Sequence, residues 1–156
     1  MARRSIPFKS LPLLLSLSLF LISCTGSRPT DLGVTADKLF PCPASPNCVC
    51  SDCDSIKHQI TPFTLAVPAQ QAWQAIGEQI AAVPRIRIIS VTDNYLHAEC
   101  RSAVFGFVDD LELHLRPEEG IIAMRSAARS GYYDFGVNRR RLETLRTTLR
   151  EEGVVR

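Results

Sequence analysis

Between residues 85 and 129 the chain reads RIRIISV, YLHAECRS, VDDLELHLR and IIAMRSAAR, four β-rich runs. Only Thr92-Asp93-Asn94, a short piece around Phe105-Gly106 and residues 117–120 separate them. Links this short cannot carry a crossover to a parallel neighbour, so the runs predict consecutive antiparallel strands. Alternation then sorts the side chains by face. In the third run Leu111, Leu113 and Leu115 share one face, while Asp110, Glu112, His114 and Arg116 share the other. In the second, Leu96, Ala98 and Cys100 oppose His97, Glu99 and Arg101. In the fourth, placing Ile122, Met124, Ser126 and Ala128 inward turns Arg125 and Arg129 outward; the opposite choice is open, because Ile121 and Ala123 share the arginines' parity. A polar row at every second residue is the pattern of a solvated sheet face, so Glu112 and its neighbours are expected at solvent. Asp109 falls on the apolar parity, a costly place for a lone carboxylate.

Two helices flank this block. After Pro68 the run AQQAWQAIGEQIAAV carries Trp73, Ile76, Ile80 and Val83 at three- and four-residue steps, and Pro84 ends it. Near the C-terminus NRRRLETLRTTLREE carries Leu142, Leu145 and Leu149 on one stripe, with Gly153 just beyond. Residues 56–67, broken by Pro62, fit an edge or bent strand. The resulting order, β-α-β-β-β-β-α, predicts an α+β fold: a single antiparallel sheet with both helices packed on one face.

The N-terminal region reads as targeting. Arg3, Arg4 and Lys9 precede the apolar run LPLLLSLSLFLI (residues 11–22), which is too short to span a bilayer and fits a secretory signal. Leu21-Ile22-Ser23-Cys24 resembles the bacterial lipobox, which makes Cys24 the expected lipid attachment point. The chain thus divides into a signal (1–23), a polar tether (24–38) and one domain (39–156). The signal holds three of the 18 basic residues and none of the 16 acids, leaving 15 against 16, a net charge of −1. The basicity of the whole chain is therefore a targeting property and gives no support to nucleic-acid binding. The expected location is the bacterial cell envelope, with the domain on the periplasmic or exterior side of a membrane.

Four cysteines crowd FPCPASPNCVCSDC (residues 40–53): Cys42, Cys48, Cys50 and Cys53. In an oxidising envelope close cysteines favour disulfides, and three pairings are possible. Four thiolates on zinc are the alternative, although the C-x₅-C-x-C-x₂-C spacing is cramped for the usual pair of knuckles. A redox role for Cys50 and Cys53 would need a helix N-terminus to acidify a thiol, and the surroundings offer none. Cys100, on the apolar parity, is the expected unpaired thiol.

Arg139, Arg140 and Arg141 open the last helix beside the positive end of its dipole, which calls for an anion nearby. Asp134 and the pair Asp109/Asp110 are candidates, with Arg139–Glu143 an i,i+4 pair. Asp109, Arg125, Arg129, Asp134 and Arg141 are expected to form one connected cluster where the sheet meets that helix, either a structural network or an anion pocket.

FPCPASPNCV, FVDDLELHL and MRSAARSGYYDFGVNRRRLETLR resemble the successive signatures of the bacterial and plastid domain-of-unknown-function family 1499, over roughly residues 39–150. Carried over by position, the resemblance singles out Cys42, Pro43, Ser45, Pro46, Asn47, Cys48, Asp109, Asp110, Glu112, Arg125, Ser126, Arg129, Gly131, Asp134, Gly136, Asn138 and Arg141. It implies the pairing Cys42–Cys48 with Cys50–Cys53, although Cys50 and Cys53 depart from the family pattern. It implies no agreed activity, and lipoprotein or envelope membership for many relatives. The expected function is accordingly a lipid-anchored binding or assembly-support module, with no cofactor or metal and with an envelope protein or small anion as partner. The alternative is a hydrolytic or metal-dependent enzyme using Asp109, Asp110, Asp134 and the arginines. It carries no elbow, His-Glu-x-x-His or phosphate-loop motif.

Overall fold

The computed structural model describes residues 27–156. Cys24 and the signal lie outside the described residues. The fold is α+β, with elements β1 (Val34–Thr35), β2 (Lys38–Leu39), β3 (Cys48–Cys50), β4 (Phe63–Thr64), α1 (Ala69–Ala82), β5 (Ile86–Val91), β6 (Tyr95–Arg101), β7 (Val108–Arg116), β8 (Ile121–Ala128) and α2 (Val137–Glu151). The four expected strands form the antiparallel meander β5-β6-β7-β8. The sheet is larger than expected. β3 pairs antiparallel with the far edge of β8, and β4 pairs further along β8, so the sheet has six strands. Of residues 56–67 only Phe63 and Thr64 form a strand of it, because Pro62 lacks the N–H a longer ladder needs, and Gln59 adds an isolated bridge to Cys50. A second, two-stranded sheet, β1-β2, turns through Ala36 and Asp37, both at positive φ, the geometry of a tight hairpin.

Cross-strand register settles the faces. Leu111 lies opposite Ala98 and Ser126, Leu113 opposite Leu96 and Met124, and Leu115 opposite Ile122. These residues and both helices bury one core, with Trp73, Ile76 and Ile80 from α1 and Leu142, Leu145 and Leu149 from α2. Val83 is the C-cap of α1 and is exposed, so the stripe ends one turn early. Arg146, on the same helix face as the leucines, is also buried: its guanidinium lies 4.9 Å from the Phe63 ring centroid and donates to the carbonyls of Thr61 and Pro62. Among the described residues no helix is long and apolar enough to cross a membrane.

The strands have two functional ends. One end carries Arg101, Val108 and Ala128, the loops 102–107 and 129–136, and the start of α2; the other carries Tyr95, Arg116 and Ile121.

Candidate functional site

The polar sheet face is not solvated. Asp110, Glu112, His114, Arg116 and Arg125 are all buried, Glu112 completely. Their cover is the segment expected to be a tether. Arg28 reaches Glu99 (3.4 Å), Asp31 reaches Arg125 (3.6 Å), the Gly33 N–H donates to Glu112 (2.7 Å) and Asp37 lies 3.6 Å from His114. The segment crosses the face as a strap, from the Arg101 end to the Arg116 end. There Asp52 accepts from both the Leu39 N–H and Arg116.

Beneath the strap the charges are paired. Arg129 donates to both carboxylate oxygens of Asp110 (2.8 and 2.7 Å) and to Glu99 (2.8 Å), while His97 Nε2 stands 2.7 Å from Asp110. Arg125 donates to Glu112 at 2.6 Å, and the Tyr95 hydroxyl donates to the same carboxylate at 2.8 Å. Burial and the Glu112 charge push the Tyr95 phenol well up. Arg125 Nε has no partner, the one such buried side-chain polar atom among the described residues. Burial pushes the Glu99 and Asp110 carboxyls up, but Arg129 outweighs it, helped by Arg28 for one and His97 for the other, and both end below the usual range. The same pairing holds the Arg129 guanidinium above its ordinary value.

The helix-side face carries a second, separate network. Arg141 donates to Asp109 (2.6 Å) and to Ser126 Oγ (2.9 Å); Ser126 donates to Asn138 Oδ1 (2.6 Å), and Asn138 donates to the Asn47 carbonyl (3.1 Å). Asp109 sits above its ordinary pKa because burial outweighs Arg141. The expected single cluster is thus two, on opposite faces. Arg141 and Asp109 belong to one, Arg125 and Arg129 to the other, because alternation along β7 and β8 sends neighbours to opposite sides. Asp134 is the anion expected at α2: its carboxylate accepts from the Gly136 and Asn138 N–H groups (2.9 and 2.8 Å). Arg139 donates to the Gln59 carbonyl instead of pairing with Glu143, which takes Arg146. Asp109 and Asp110 cannot converge on one reacting atom, and Asp109 and Asp134 are each already engaged.

The cysteines divide in the same way. Cys42 and Cys48 form a disulfide with Cα atoms 5.6 Å apart, whereas Cys50, Cys53 and Cys100 are free and buried. The second bridge implied by the resemblance is therefore absent, and a four-thiolate zinc site loses two of its ligands to the disulfide. Burial and the neighbouring Cys53 push the Cys50 thiol up to about 12, and burial pushes Cys100 up to about 11, so neither is an activated nucleophile. Among the described residues no group of three His, Cys, Asp or Glu is placed to hold a metal. The clasp serves position. It closes the turn that presents Asn47, whose side chain donates to the Gly131 carbonyl (2.6 Å) and whose carbonyl accepts from the Ala128 N–H (3.0 Å). Replacing Cys42 and Cys48 together by serine should cost about 2 kcal/mol, the loop-closure value for so short a ring, read as a lower urea midpoint. Alkylation of the unfolded, unreduced protein should label Cys50, Cys53 and Cys100 and spare Cys42 and Cys48.

What Asn47 holds in place is one wall of a cleft that the sequence reading missed. At the Arg101 end a cleft of about 430 Å³ lies between loop 102–107 and loop 129–137. Phe105, Phe107, Tyr133, Phe135 and Val137 line it, with Asp109 and Asp134 as its acids and Ser102 and Ser130 as further polar groups. The loops are fixed from below: Ser102 and Phe107 exchange two hydrogen bonds at 2.9 Å, and the Arg129 N–H donates to the Val108 carbonyl (3.1 Å). Phe135 is 85 % exposed and has φ of 53°, a left-handed backbone that a bulky residue adopts only under constraint. The constraint is Asp134, which ties the following turn to α2, where Gly136 also takes positive φ. Strained backbone of this kind clusters at ligand clamps and switch regions. The available signals were the clusters VFGF and GYYDFGV, two aromatic runs beside glycines that only the meander brings together.

The fold and the cleft define a small α+β domain with a closed, charge-filled sheet face and one open aromatic site. The chain belongs to the family described as "Protein of unknown function (DUF1499)", which it matches over residues 38–149. No curated protein and no solved structure matches it.

Proposed function

We propose that the chain is a lipid-anchored cell-envelope domain, attached through Cys24, that binds one apolar or amphipathic small molecule in the aromatic cleft. The observation that carries this reading is the cleft itself. Its volume falls in the range of small-molecule sites, and a mainly aromatic lining with a few convergent polar groups is their usual composition. The charged face, by contrast, is filled by its own ion pairs and by the strap, which leaves no room there for an anion or a protein partner. Asp109, above its ordinary pKa, and the engaged Asp134 supply hydrogen-bond acceptors in the cleft wall. A ligand with a hydroxyl, amide or amine at one end of an apolar body meets both features.

The test is native mass spectrometry of the full chain released from membranes in mild detergent. The wild type should retain one additional organic molecule per chain. Phe107→Ala should lower its occupancy about tenfold or more, since a buried aromatic side chain is worth about 1.5–3 kcal/mol, while melting within a few degrees of wild type. A protein that carries no such molecule, or a Phe107→Ala variant that carries it unchanged, would remove the cleft from consideration.

A further inference from the structure

We infer that the rim of this cleft is seated in the interface of an anionic lipid bilayer, so that the cleft opens onto lipid and its ligand is an amphiphile drawn from that layer. The inference deepens the binding reading, and the second of its observations rests on Cys24 being the acylated residue. Three independent observations converge on the same end of the molecule.

The first is apolar exposure. Val104, Phe105, Tyr132, Tyr133 and Phe135 project from two adjacent loops, Phe105 with 73 % of its surface free. A contiguous exposed aromatic patch on a small domain marks an interaction surface, and aromatic rings are the side chains that settle at the headgroup level of a membrane.

The second is where the strap begins. Arg28 meets Glu99, two residues before β6 ends and loop 102–107 starts. Cys24 stands four residues before Arg28, a fully extended reach of at most about 14 Å. An acyl group on Cys24 is therefore held beside the aromatic rim. With the strap docked, little slack is left between the anchor and the folded body.

The third is charge. Arg28, Arg87 and Arg101, all exposed, gather within 4.0 Å of the single carboxylate Glu99, which Arg129 also occupies. Exposed Arg85 and Arg140 flank the same edge, since the Arg85 carbonyl accepts from the Arg101 N–H and Arg140 donates to the Phe135 carbonyl. The two acids of the cleft are engaged by Arg141 and by the start of α2. The rim thus presents apolar tips inside a cationic collar, which suits anionic headgroups over a hydrocarbon layer. A single acyl chain holds a protein reversibly, and a second apolar or basic contact makes the attachment lasting.

The chain supplies its own control. Its one tryptophan, Trp73, donates from Nε1 to the Thr92 carbonyl at the opposite end of the sheet, roughly 20 Å from the rim at strand spacing. The experiment reconstitutes the full chain into phosphatidylethanolamine–phosphatidylglycerol vesicles with brominated acyl chains, which quench indole on contact. Wild type, whose indole is Trp73, is compared with Phe105→Trp in a Trp73→Phe background, whose indole stands at the rim. The mass of each reconstituted protein reports acylation. Emission from the rim indole should fall at least about twofold against unbrominated vesicles, as interfacial insertion requires, and Trp73 emission should not change. Acylated protein with an unquenched rim indole overturns the inference and leaves the anchor standing. A quenched rim indole in unacylated protein sustains the seated rim and overturns the anchor. Equal quenching at both positions means the body lies on its side and overturns the orientation. None of these outcomes depends on whether the cleft retains a ligand.

Discussion

Glu112→Ala is expected to destabilise the domain by about 3–5 kcal/mol, the usual cost of removing one partner from a buried ion pair. Glu112 has no exposed surface and serves three donors: Arg125 at 2.6 Å, the Tyr95 hydroxyl and the Gly33 N–H. Its loss leaves Arg125, whose Nε already lacks a partner, with only Asp31 at 3.6 Å. It also releases the middle of the strap. Urea denaturation of the variant beside Glu118→Ala, a substitution at an exposed position, should separate the two clearly. The second should stay within about 0.5 kcal/mol of wild type. On sequence grounds Glu112 is solvent-facing and ought to tolerate alanine better than Asp109 or Asp134 does. The buried geometry reverses that order.

Arg129→Ala should be as costly and should change the acid limb of the stability curve. Glu99 and Asp110 are directly opposed across β6 and β7, and Arg129 bridges them. Without it two carboxylates face each other, Glu99 keeping only the exposed Arg28, Arg87 and Arg101 at 3.4–3.9 Å and Asp110 only His97, so a loss of about 3–5 kcal/mol is expected at neutral pH. In the wild type both carboxyls lie below their ordinary values. The stability they contribute is complete above their unfolded pKa values of about 4 and is lost as pH falls through the depressed folded values. Asp109 shifts the other way. Its folded state takes up a proton more readily, so its contribution declines as pH rises past about 4. With two groups against one, the wild-type urea midpoint should drop between about pH 5 and pH 2. Arg129→Ala removes the main cause of the depression and should flatten that drop. A variant that merely loosened packing would shift the curve down without changing its slope.

The contrast between these two substitutions and the sequence pattern shows what a period can and cannot convey. Alternation placed the alternating residues of β6 and β7 on their correct faces and left the choice open for β8, and helical spacing located both helices to within a residue or two. Alternation gives the side of the sheet, not what covers it. The cover here is polar, RPTDLGVTADK from residue 28, and its composition reads as a tether because it docks through charges and backbone N–H groups instead of an apolar stripe. The charges it meets are spread over three strands and become complementary only after the sheet has formed. Likewise Asp109 was rightly singled out by its parity and does pair with Arg141, but parity also separated it from Arg125 and Arg129. The β3 pairing was hidden because Cys48–Cys50 is three residues long, below the length at which any period can be read. The cleft was hidden for a related reason: Phe105 and Phe135 are 30 residues apart, and neither loop is periodic.

Photolabelling tests the division between a closed charged face and an open aromatic cleft most directly. The full chain, reconstituted into lipid vesicles, is irradiated with a fatty acyl probe carrying a diazirine, and the modified residues are mapped by peptide mass spectrometry. Labels should concentrate on residues 102–107 and 130–137, with residues 33–39 and 121–125, at and beyond the middle of the strap, unmodified. Labels on the strap or on the strands beneath it, with the aromatic loops unmarked, would contradict the account.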